Sequence, residues 1–385
     1  MINNNTDFTN HNEQVKALWQ DYYSGKNKRV PMTIACNPRM ILLDEQLNTA
    51  GYTFEQYFNS PEIMAAVQLQ FIEYRDTALW YDHIMGIDNI NFSLYVDYQN
   101  VMEPNWFGCP ISFNGQDPGT MPILNDENKY DYLKQKIEPI SGIYEKALRF
   151  YEYFLDMQKS GFLYKNKPIA AVYEPGEGID GPFTTACSIR GTTEMCLDLY
   201  LDTDFALELM DYITENNIKR IKAFRKYFGK PEKTSKFYFA DDSIALLSAE
   251  DYIKYVLPFH KRLYEELSTG EEGGWAHFCG NATRHFKTVS QEVNITSFDT
   301  GFPVNFGQLQ KELGADIQIS GGVHVDILLN GNTEQIKAET KRILEEVKPL
   351  TNRFIIKEAN NLSPRTPPTN IKAMYDAVKE FGYFE

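Results

Sequence analysis

Eight short apolar runs with high β-strand propensity recur along this chain, and segments with helical periodicity separate them. The runs are MTIAC 32–36, NINFSL 89–94, IAAVY 169–173, FYFAD 237–241, GWAHF 274–278, NITSF 294–298, DIQIS 316–320 and FIIKE 354–358. Apolar residues recur every three or four positions in the stretches 205–213 and 371–378, as on one face of a helix. Eight strands that alternate with helices are typical of a parallel barrel, so the pattern predicts an α/β fold, a single (β/α)8 TIM barrel.

The alternative architecture is an open, doubly wound sheet, but no Gly-rich dinucleotide fingerprint follows any of the runs. Only a short segment separates the fifth run from the sixth, which leaves little room for a full helix there. Barrels with loop insertions reach 385 residues as one unit, and no repeat or low-complexity linker divides the chain. We therefore expect one domain over residues 1–385, with a flexible N-terminus of about residues 1–12.

Composition excludes several classes of protein. A formal net charge of −15, with acidic residues spread along the chain, argues against nucleic acid or an anionic membrane as partner. No apolar run approaches the length of a membrane span, and the start MINNNTDFTNHNEQ lacks the basic and apolar regions of a signal peptide. The five cysteines are widely spaced and odd in number, unlike a disulfide framework. We expect a cytoplasmic protein with reduced thiols.

Catalytic residues of parallel barrels lie at the carboxyl ends of the strands. The polar residues that follow the predicted strands are Asn37, Arg39, Tyr173, Glu174, Asp241, Asp242, His277, Cys279, Asp299 and Glu358. Loops are polar in any protein, so these residues mark where a site is expected and do not by themselves indicate catalysis.

The sharpest local signal is the pair His277 and Cys279 in the stretch WAHFCGN. Residues two apart on an extended strand point to the same side, so both side chains can reach one ion. Imidazole nitrogen and thiolate sulfur together suit zinc, and a site with few protein ligands leaves a position open for substrate. The alternative reading is a buried cysteine beside a hydrogen-bonded core histidine.

Five further stretches carry a resemblance to a known family. They are FGCPISF 107–113, GPFTTAC 181–187, LLSAEDYIKYVLPFHKRL 246–263, AHFCGNA 276–282 and SPRTPPTNIKAMYDAVKEFG 363–382. From about residue 30 onward the chain resembles the uroporphyrinogen decarboxylase superfamily, which includes methylcobamide:coenzyme M methyltransferases and methyltransferase components of corrinoid demethylases. The resemblance implies the (β/α)8 barrel.

The branch of the superfamily follows from the stretch AHFCGNA. The methyltransferases have a zinc-ligating His-x-Cys there, whereas the decarboxylases have a polar stretch without the thiol, so His277 and Cys279 favour methyl transfer. Where decarboxylases carry several arginines that bind substrate carboxylates, this chain keeps only Arg39. A tetrapyrrole with many carboxylates would require more cations.

One departure from the family concerns the third zinc ligand. The zinc methyltransferases of methanogens have a second cysteine before the closing S-P-x-T-P segment, and this chain has Asn360 at about that place. Because an amide is a poor zinc ligand, the expected third ligand is Glu358. A His/Cys/Glu set is harder than one with two thiolates, which favours an oxygen substrate.

The family also suggests roles for other strand-end residues. Asp241 and Asp242 fall where an acidic active-site residue is kept, although a helix N-cap is the ordinary alternative. The lengthened loop that follows IAAVY supplies Tyr173 and Glu174 as further catalytic candidates. The expected substrate contacts are Asn37, Arg39, Glu177 and His324.

The function expected from the sequence is transfer of a methyl group from an O-methyl compound, such as a methoxylated aromatic, to the Co(I) of a corrinoid protein. The chain has no cobalamin-binding D-x-H-x-x-G motif, so the corrinoid is expected on a separate partner. Three alternatives stay open. They are methyl transfer from a methylated corrinoid to a thiol, uroporphyrinogen decarboxylation, and a catalytically silent partner or chaperone of a corrinoid protein.

Overall fold

The structure, a computed structural model, describes residues 7–114 and 117–384. Within them the strands β1 to β10 are Phe92–Tyr95, Ile111–Ser112, Gly119–Thr120, Leu163–Tyr164, Lys167–Tyr173, Tyr238–Ala240, Gly274–Phe278, Ile295–Thr300, Gln318–His324 and Ile355–Ala359. The helices α1 to α17 are Thr9–Tyr23, Arg39–Leu42, Phe54–Asn59, Pro61–Ala78, Met102–Trp106, Lys129–Tyr132, Ile143–Lys159, Pro182–Arg190, Thr192–Leu201, Thr203–Tyr227, Ala249–Asp251, Leu257–Leu267, Thr283–Val293, Phe306–Leu313, Val325–Asn330, Thr333–Val347 and Pro368–Phe381.

The described residues pack into two compact units. Unit 1 contains residues 7–94, 160–171 and 297–384, and unit 2 contains residues 95–159 and 172–296 without the two residues at 115 and 116. The boundary at 296/297 falls inside strand β8.

Unit 1 is built around parallel strands. β10 pairs with β9, from Ile355 opposite Ser320 to Ala359 opposite His324, and β9 pairs with β8 in the same direction. Every residue of β10 is buried, as expected for a strand covered on both faces. Parallel strands end at a common edge, which brings the carboxyl ends of these strands together.

Unit 2 contains the parallel pair β6 and β7, in which Ala240 lies opposite His277. The side chains of β7 alternate, with Gly274, Ala276 and Phe278 buried and Trp275 and His277 more exposed. This period of two places His277 on the face opposite the packed core of the unit.

One long helix of unit 2 is irregular. Between α11 and α12 the chain makes a π-helical turn over Tyr252–Val256 and then continues past Pro258 to Leu267. Proline has no N–H to donate, which disfavours regular α-helical bonding at this point. The hydroxyl oxygen of Ser248 accepts a hydrogen bond of 3.0 Å from the Asp251 N–H and caps the start of the helix.

Seven of the eight predicted strand runs overlap a strand of the structure. The first run, 32–36, is the correction: it makes an isolated bridge from Met32 to Ile356 and no strand. The Thr33 N–H donates to the Ile356 carbonyl at 3.0 Å, but the next donor of this ladder, the Ala35 N–H, donates to the Glu358 side chain at 2.9 Å, so the ladder does not extend. The predicted helical stretches 205–213 and 371–378 fall inside α10 and α17.

Three further predictions concern the N-terminus, membrane spans and the number of domains. Residues 1–6 of the predicted flexible N-terminus lie outside the described residues, whereas α1 already begins at Thr9. Across 7–114 and 117–384, no helix has the length and apolar content needed to cross a membrane. The division into a single domain stays a prediction.

Candidate metal centre

Three side chains of unit 2 form a group with the spacing of a metal site. Ligand atoms of Asp242, His277 and Cys279 all lie within 4.8 Å of one another. His277 Nε2 is 2.9 Å from Cys279 Sγ and 3.7 Å from Asp242 Oδ1. The structure therefore brings the predicted His277 and Cys279 together, with Asp242 as the third donor.

The local fold explains this convergence. β6 ends at Ala240, two residues before Asp242, and its parallel neighbour β7 ends at Phe278, one residue before Cys279. The Cys279 N–H donates a hydrogen bond of 2.7 Å to Asp242 Oδ1, which joins the two strand ends. The site is thus a property of adjacent parallel strands and not of one sequence motif.

The donor set fits a divalent transition metal. Imidazole nitrogen, thiolate sulfur and carboxylate oxygen are all common zinc ligands, and three of them leave a coordination position for substrate. Burial raises the pKa of the Cys279 thiol, and the neighbouring His277 opposes that shift. A bound cation would favour the thiolate, so metal binding at this group would release a proton.

Asp241, the neighbour of Asp242, is fully buried and holds helix α8 in place. Its carboxylate accepts hydrogen bonds from the backbone N–H groups of Phe183 (3.2 Å) and Thr184 (2.8 Å), two of the unpaired donors at the start of that helix. It also accepts from the Thr184 hydroxyl at 2.7 Å and lies 2.9 Å from Nε2 of the buried His260. These contacts give Asp241 a positioning role.

A further carboxyl, which the sequence analysis did not single out, lies half-buried on the loop before α8. Asp180 has a pKa well above its ordinary value because desolvation and the nearby carboxylates of Glu103 and Asp242 disfavour its charged form. Its N–H donates to Glu103, and the carbonyl of the preceding Ile179 accepts a hydrogen bond from Ala240 at the end of β6. No local sequence pattern marks Asp180, because Glu103 is 77 positions away.

Arg220 of α10 holds this loop in position. Its guanidinium is fully buried and donates to the carbonyls of Gly176 and Gly178, both at 2.7 Å. It also lies 3.4 Å from Glu103 and 4.5 Å from the ring centre of Tyr144. The loop that the sequence analysis treated as a source of catalytic side chains is therefore tied to a buried arginine.

The other predicted residues of that loop make ion pairs or face solvent. Glu174 is 2.5 Å from Lys230, and Glu177 accepts hydrogen bonds from Arg225 at 2.9 to 3.2 Å. Tyr173 is 58% exposed. Neither glutamate belongs to the three-residue group.

Three of the predicted substrate contacts lie in unit 1. The Asn37 side chain accepts hydrogen bonds from the Arg39 backbone N–H at 3.0 Å and from its Nε at 3.1 Å. His324 caps helix α15 by accepting from the Asp326 N–H at 3.0 Å, and its ring packs edge-on against Phe302. Each of these side chains therefore has a local structural contact.

Glu358, the predicted third ligand, is a fully buried residue of unit 1. Its Oε1 accepts from the Ala35 N–H at 2.9 Å, while Oε2 has no hydrogen-bond partner among the described residues. Burial raises the pKa of Glu358 to about 8, although Lys357 Nζ lies 3.6 Å away. Lys357 is held by Asp299 at 2.6 Å.

Polar side chains at the carboxyl ends of parallel strands in an alternating α/β fold are typical of barrel enzymes. The family model "Uroporphyrinogen decarboxylase (URO-D)" matches residues 176–381, which is more than half of the chain. The chain belongs to the uroporphyrinogen decarboxylase family, and the predicted fold class is confirmed.

A solved structure of a methyltransferase from Methanosarcina mazei has the same fold. It superposes with a TM-score of 0.63 and 18% identity, covering 95% of this chain and 98% of that one.

The proteins with similar sequences are named as methyltransferases or as uroporphyrinogen decarboxylases. The methylated-thiol–coenzyme M methyltransferase of M. mazei is 30% identical over 209 residues, 52% of each chain. A methylcobamide:CoM methyltransferase of the same organism is 25% identical over 53% of this chain and 57% of its own. The uroporphyrinogen decarboxylase of Geobacter sulfurreducens is 27% identical over 51% of this chain and 57% of its own. The matches thus span about half the length of these relatives.

Proposed function

We propose that this protein is a methyltransferase that binds zinc at Asp242, His277 and Cys279 and moves a methyl group from an O-methyl compound to the Co(I) of a separate corrinoid protein. The observation that carries the proposal is the convergence of these three donors within 4.8 Å. The names of the two methyltransferase relatives support methyl transfer as the reaction class.

The chemistry follows from the donor set. A bound zinc ion supplies a positive charge that stabilises the oxygen or sulfur atom that loses or gains the methyl group. The methyl group would leave the oxygen without the bonding electrons, and the Co(I) of the partner would supply the electron pair of the new bond to carbon and formally become Co(III). The oxygen would keep its own pair and take up a proton. Asp242 and Cys279 contribute one carboxylate and one thiolate, a harder set than two thiolates, which is the reason for proposing an oxygen substrate.

The other predicted residues have secondary places in this proposal. Glu358 is proposed as a further ligand because its buried Oε2 has no hydrogen-bond partner among the described residues. Asp241 is proposed as a positioning residue, Tyr173 as a catalytic residue, and Asn37, Arg39 and His324 as contacts to the methyl donor. Glu174 and Glu177 would have to leave Lys230 and Arg225 to reach a substrate.

The second candidate is transfer of a methyl group between a corrinoid and a thiol. The printed names of the M. mazei relatives favour it, since both refer to coenzyme M or a methylated thiol. The two candidates share the metal centre and differ in the substrate that it activates.

The decisive experiment measures zinc content first and methyl transfer second. We expect about one zinc per chain in the wild type, loss of zinc in Cys279→Ala and Asp242→Asn, and full zinc in the matched control Cys196→Ala, a half-buried cysteine of α9. Glu358→Gln tests the further ligand in the same assay.

Zinc-loaded protein is then given methoxylated aromatics with Co(I) cobalamin, and separately methylcobalamin with a thiol. Demethylation of the ether supports the first proposal, and methylation of the thiol alone supports the second. A zinc-free protein would contradict both; porphyrin formation from uroporphyrinogen would then indicate a decarboxylase, and no turnover a silent partner protein.

A further inference from the structure

The two residues that flank Asp242 in the chain both form hydrogen bonds with one hydroxyl group, that of Thr184. The Thr184 hydroxyl donates to Asp241 Oδ1 at 2.7 Å and accepts a hydrogen bond from the Ser243 N–H at 2.8 Å. The residue before Asp242 and the residue after it are therefore both bound to Thr184. A backbone fixed at both neighbours leaves Asp242 little freedom to move its carboxylate.

Asp241, the residue that Thr184 binds, is itself held by further hydrogen bonds. Thr184 is the third residue of α8, and its own N–H donates to the same Asp241 oxygen. The second Asp241 oxygen lies 2.9 Å from His260 Nε2, and Tyr252 lies 3.0 Å from the other ring nitrogen. His260 and Tyr252 are both fully buried. The chain of hydrogen bonds from Tyr252 to Thr184 thus anchors the segment that carries Asp242.

The anchored segment is the one that completes the metal centre. Asp242 Oδ1 accepts a 2.7 Å hydrogen bond from the Cys279 N–H and lies 3.7 Å from His277 Nε2. Groups that hold metal ligands in place from behind commonly change metal affinity by 10- to 100-fold when they are removed.

We propose that Thr184 is a positioning residue of the metal centre: its hydroxyl holds Asp242 in reach of His277 and Cys279 before a cation binds. The proposal rests on the proposed function, because it assumes that the group binds zinc. It assigns Thr184 no contact with metal or substrate.

The test compares three variants in metal-free protein titrated with zinc against a competing chelator. Thr184→Val keeps the shape of the side chain and removes the hydroxyl, and we expect about 10- to 100-fold weaker zinc binding. Thr184→Ser restores the hydroxyl and is expected within a few-fold of wild type. Thr185→Val is the matched control. It removes the buried hydroxyl of Thr185, which lies in the same helix and donates to Glu103 at 2.6 Å.

Amide hydrogen exchange gives a second measurement that needs no metal. We expect the Cys279 amide, which donates to Asp242 Oδ1, to exchange faster in Thr184→Val than in the wild type, and at the wild-type rate in Thr185→Val. If Thr184 has a merely structural role, both valine variants lose thermal stability and both keep the zinc affinity and the Cys279 amide exchange rate of the wild type; that result would overturn the proposal.

The zinc measurements distinguish a wrong role for Thr184 from a wrong proposed function. If the wild type binds zinc and Thr184→Val binds it equally well, the positioning role is wrong and the proposed function stands. If the wild type binds no zinc, the proposed function is wrong, and the role of Thr184 toward the metal is wrong with it.

Discussion

His285 is a fully buried histidine of unit 2 whose two ring nitrogens have different environments. Nε2 lies 2.9 Å from the carbonyl oxygen of Ile244, to which it donates, whereas Nδ1 has no hydrogen-bond partner among the described residues. Burial and the nearby Arg284 lower the pKa of His285 to about 4. A proton on Nδ1 would place an uncompensated charge in the protein interior.

We therefore predict that His285 makes the protein less stable in weak acid. Between pH 6.5 and 4 the unfolded chain binds a proton at this residue and the folded chain does not, so stability falls as pH falls. One proton corresponds to a slope of up to about 1.4 kcal/mol per pH unit. The measurement is the free energy of unfolding against pH in the wild type and in His285→Gln, which keeps a donor for Ile244.

The matched control is His324→Gln at the start of α15, where the histidine accepts from a backbone N–H near solvent. The prediction fails if His285→Gln and the wild type show the same slope over this range.

At the residue scale the sequence predicted the part of the site that is local. The two-residue period of a strand was enough to place His277 beside Cys279. It could not establish that Asp242 belongs to the same group, since that depends on two strands ending side by side. Nor could it foresee that Glu177 pairs with Arg225, a residue 48 positions away on α10.

The start of α8 packs directly against the end of β6. Gly181, which precedes the helix, has φ of +88°, and a Cβ atom there would lie 2.4 Å from the Ala240 carbonyl oxygen and from Asp241. Both the backbone conformation and the space exclude a side chain.

We predict that Gly181→Ala lowers the free energy of unfolding by at least about 2 kcal/mol, because the added methyl group must displace backbone. The control is Gly178→Ala in the same loop, where nothing lies within 4 Å of the added atom. Urea denaturation measures both variants, and equal midpoints would contradict the packing described here.

Arg220 gives a second prediction for the elements of unit 2. Arg220→Met removes the donors that hold Gly176 and Gly178 and leaves Glu103 without its nearby cation, so we expect a loss of about 3–5 kcal/mol. Arg262→Met removes a partly exposed ion pair between α12 and α10, and we expect a loss below about 1 kcal/mol. Denaturant titration measures the free energy of unfolding of both variants. Similar losses in the two would contradict the role of Arg220 in holding the loop at Gly176 and Gly178.

At the element scale, the sequence pattern predicted strands correctly where burial of apolar side chains determines the structure. Runs such as 274–278 and 354–358 lie within a residue of strands because apolar β-prone residues have few other ways to be buried. The run 32–36 forms no strand, because the Glu358 side chain accepts the hydrogen bond of the Ala35 N–H that a ladder with β10 would need. Such competition depends on tertiary contacts that no local pattern records.

The two compact units are interleaved along the chain. Unit 1 consists of three separate segments, and the boundary at 296/297 interrupts β8 between Thr296 and Ser297. Each unit is thus complete only when segments that lie far apart in the sequence have come together.

We predict a single cooperative unfolding transition for the whole chain. Differential scanning calorimetry should give one peak whose calorimetric and van't Hoff enthalpies agree. Two separable peaks would contradict the expectation of one domain. At this scale the count of alternating elements predicted the fold class, whereas the grouping into units depends on long-range packing that the sequence pattern does not contain.

The π-helical turn at Tyr252–Val256 bears on how the gene can change. Such a turn contains one residue more than regular α-helical bonding accommodates, and Tyr252, its first residue, contacts His260 beyond it. Deletion of a single codon in this turn would produce a more regular helix, yet it would rotate Tyr252 by about 100° relative to His260. An in-frame deletion of one residue would therefore make the helix more regular but would separate Tyr252 from His260.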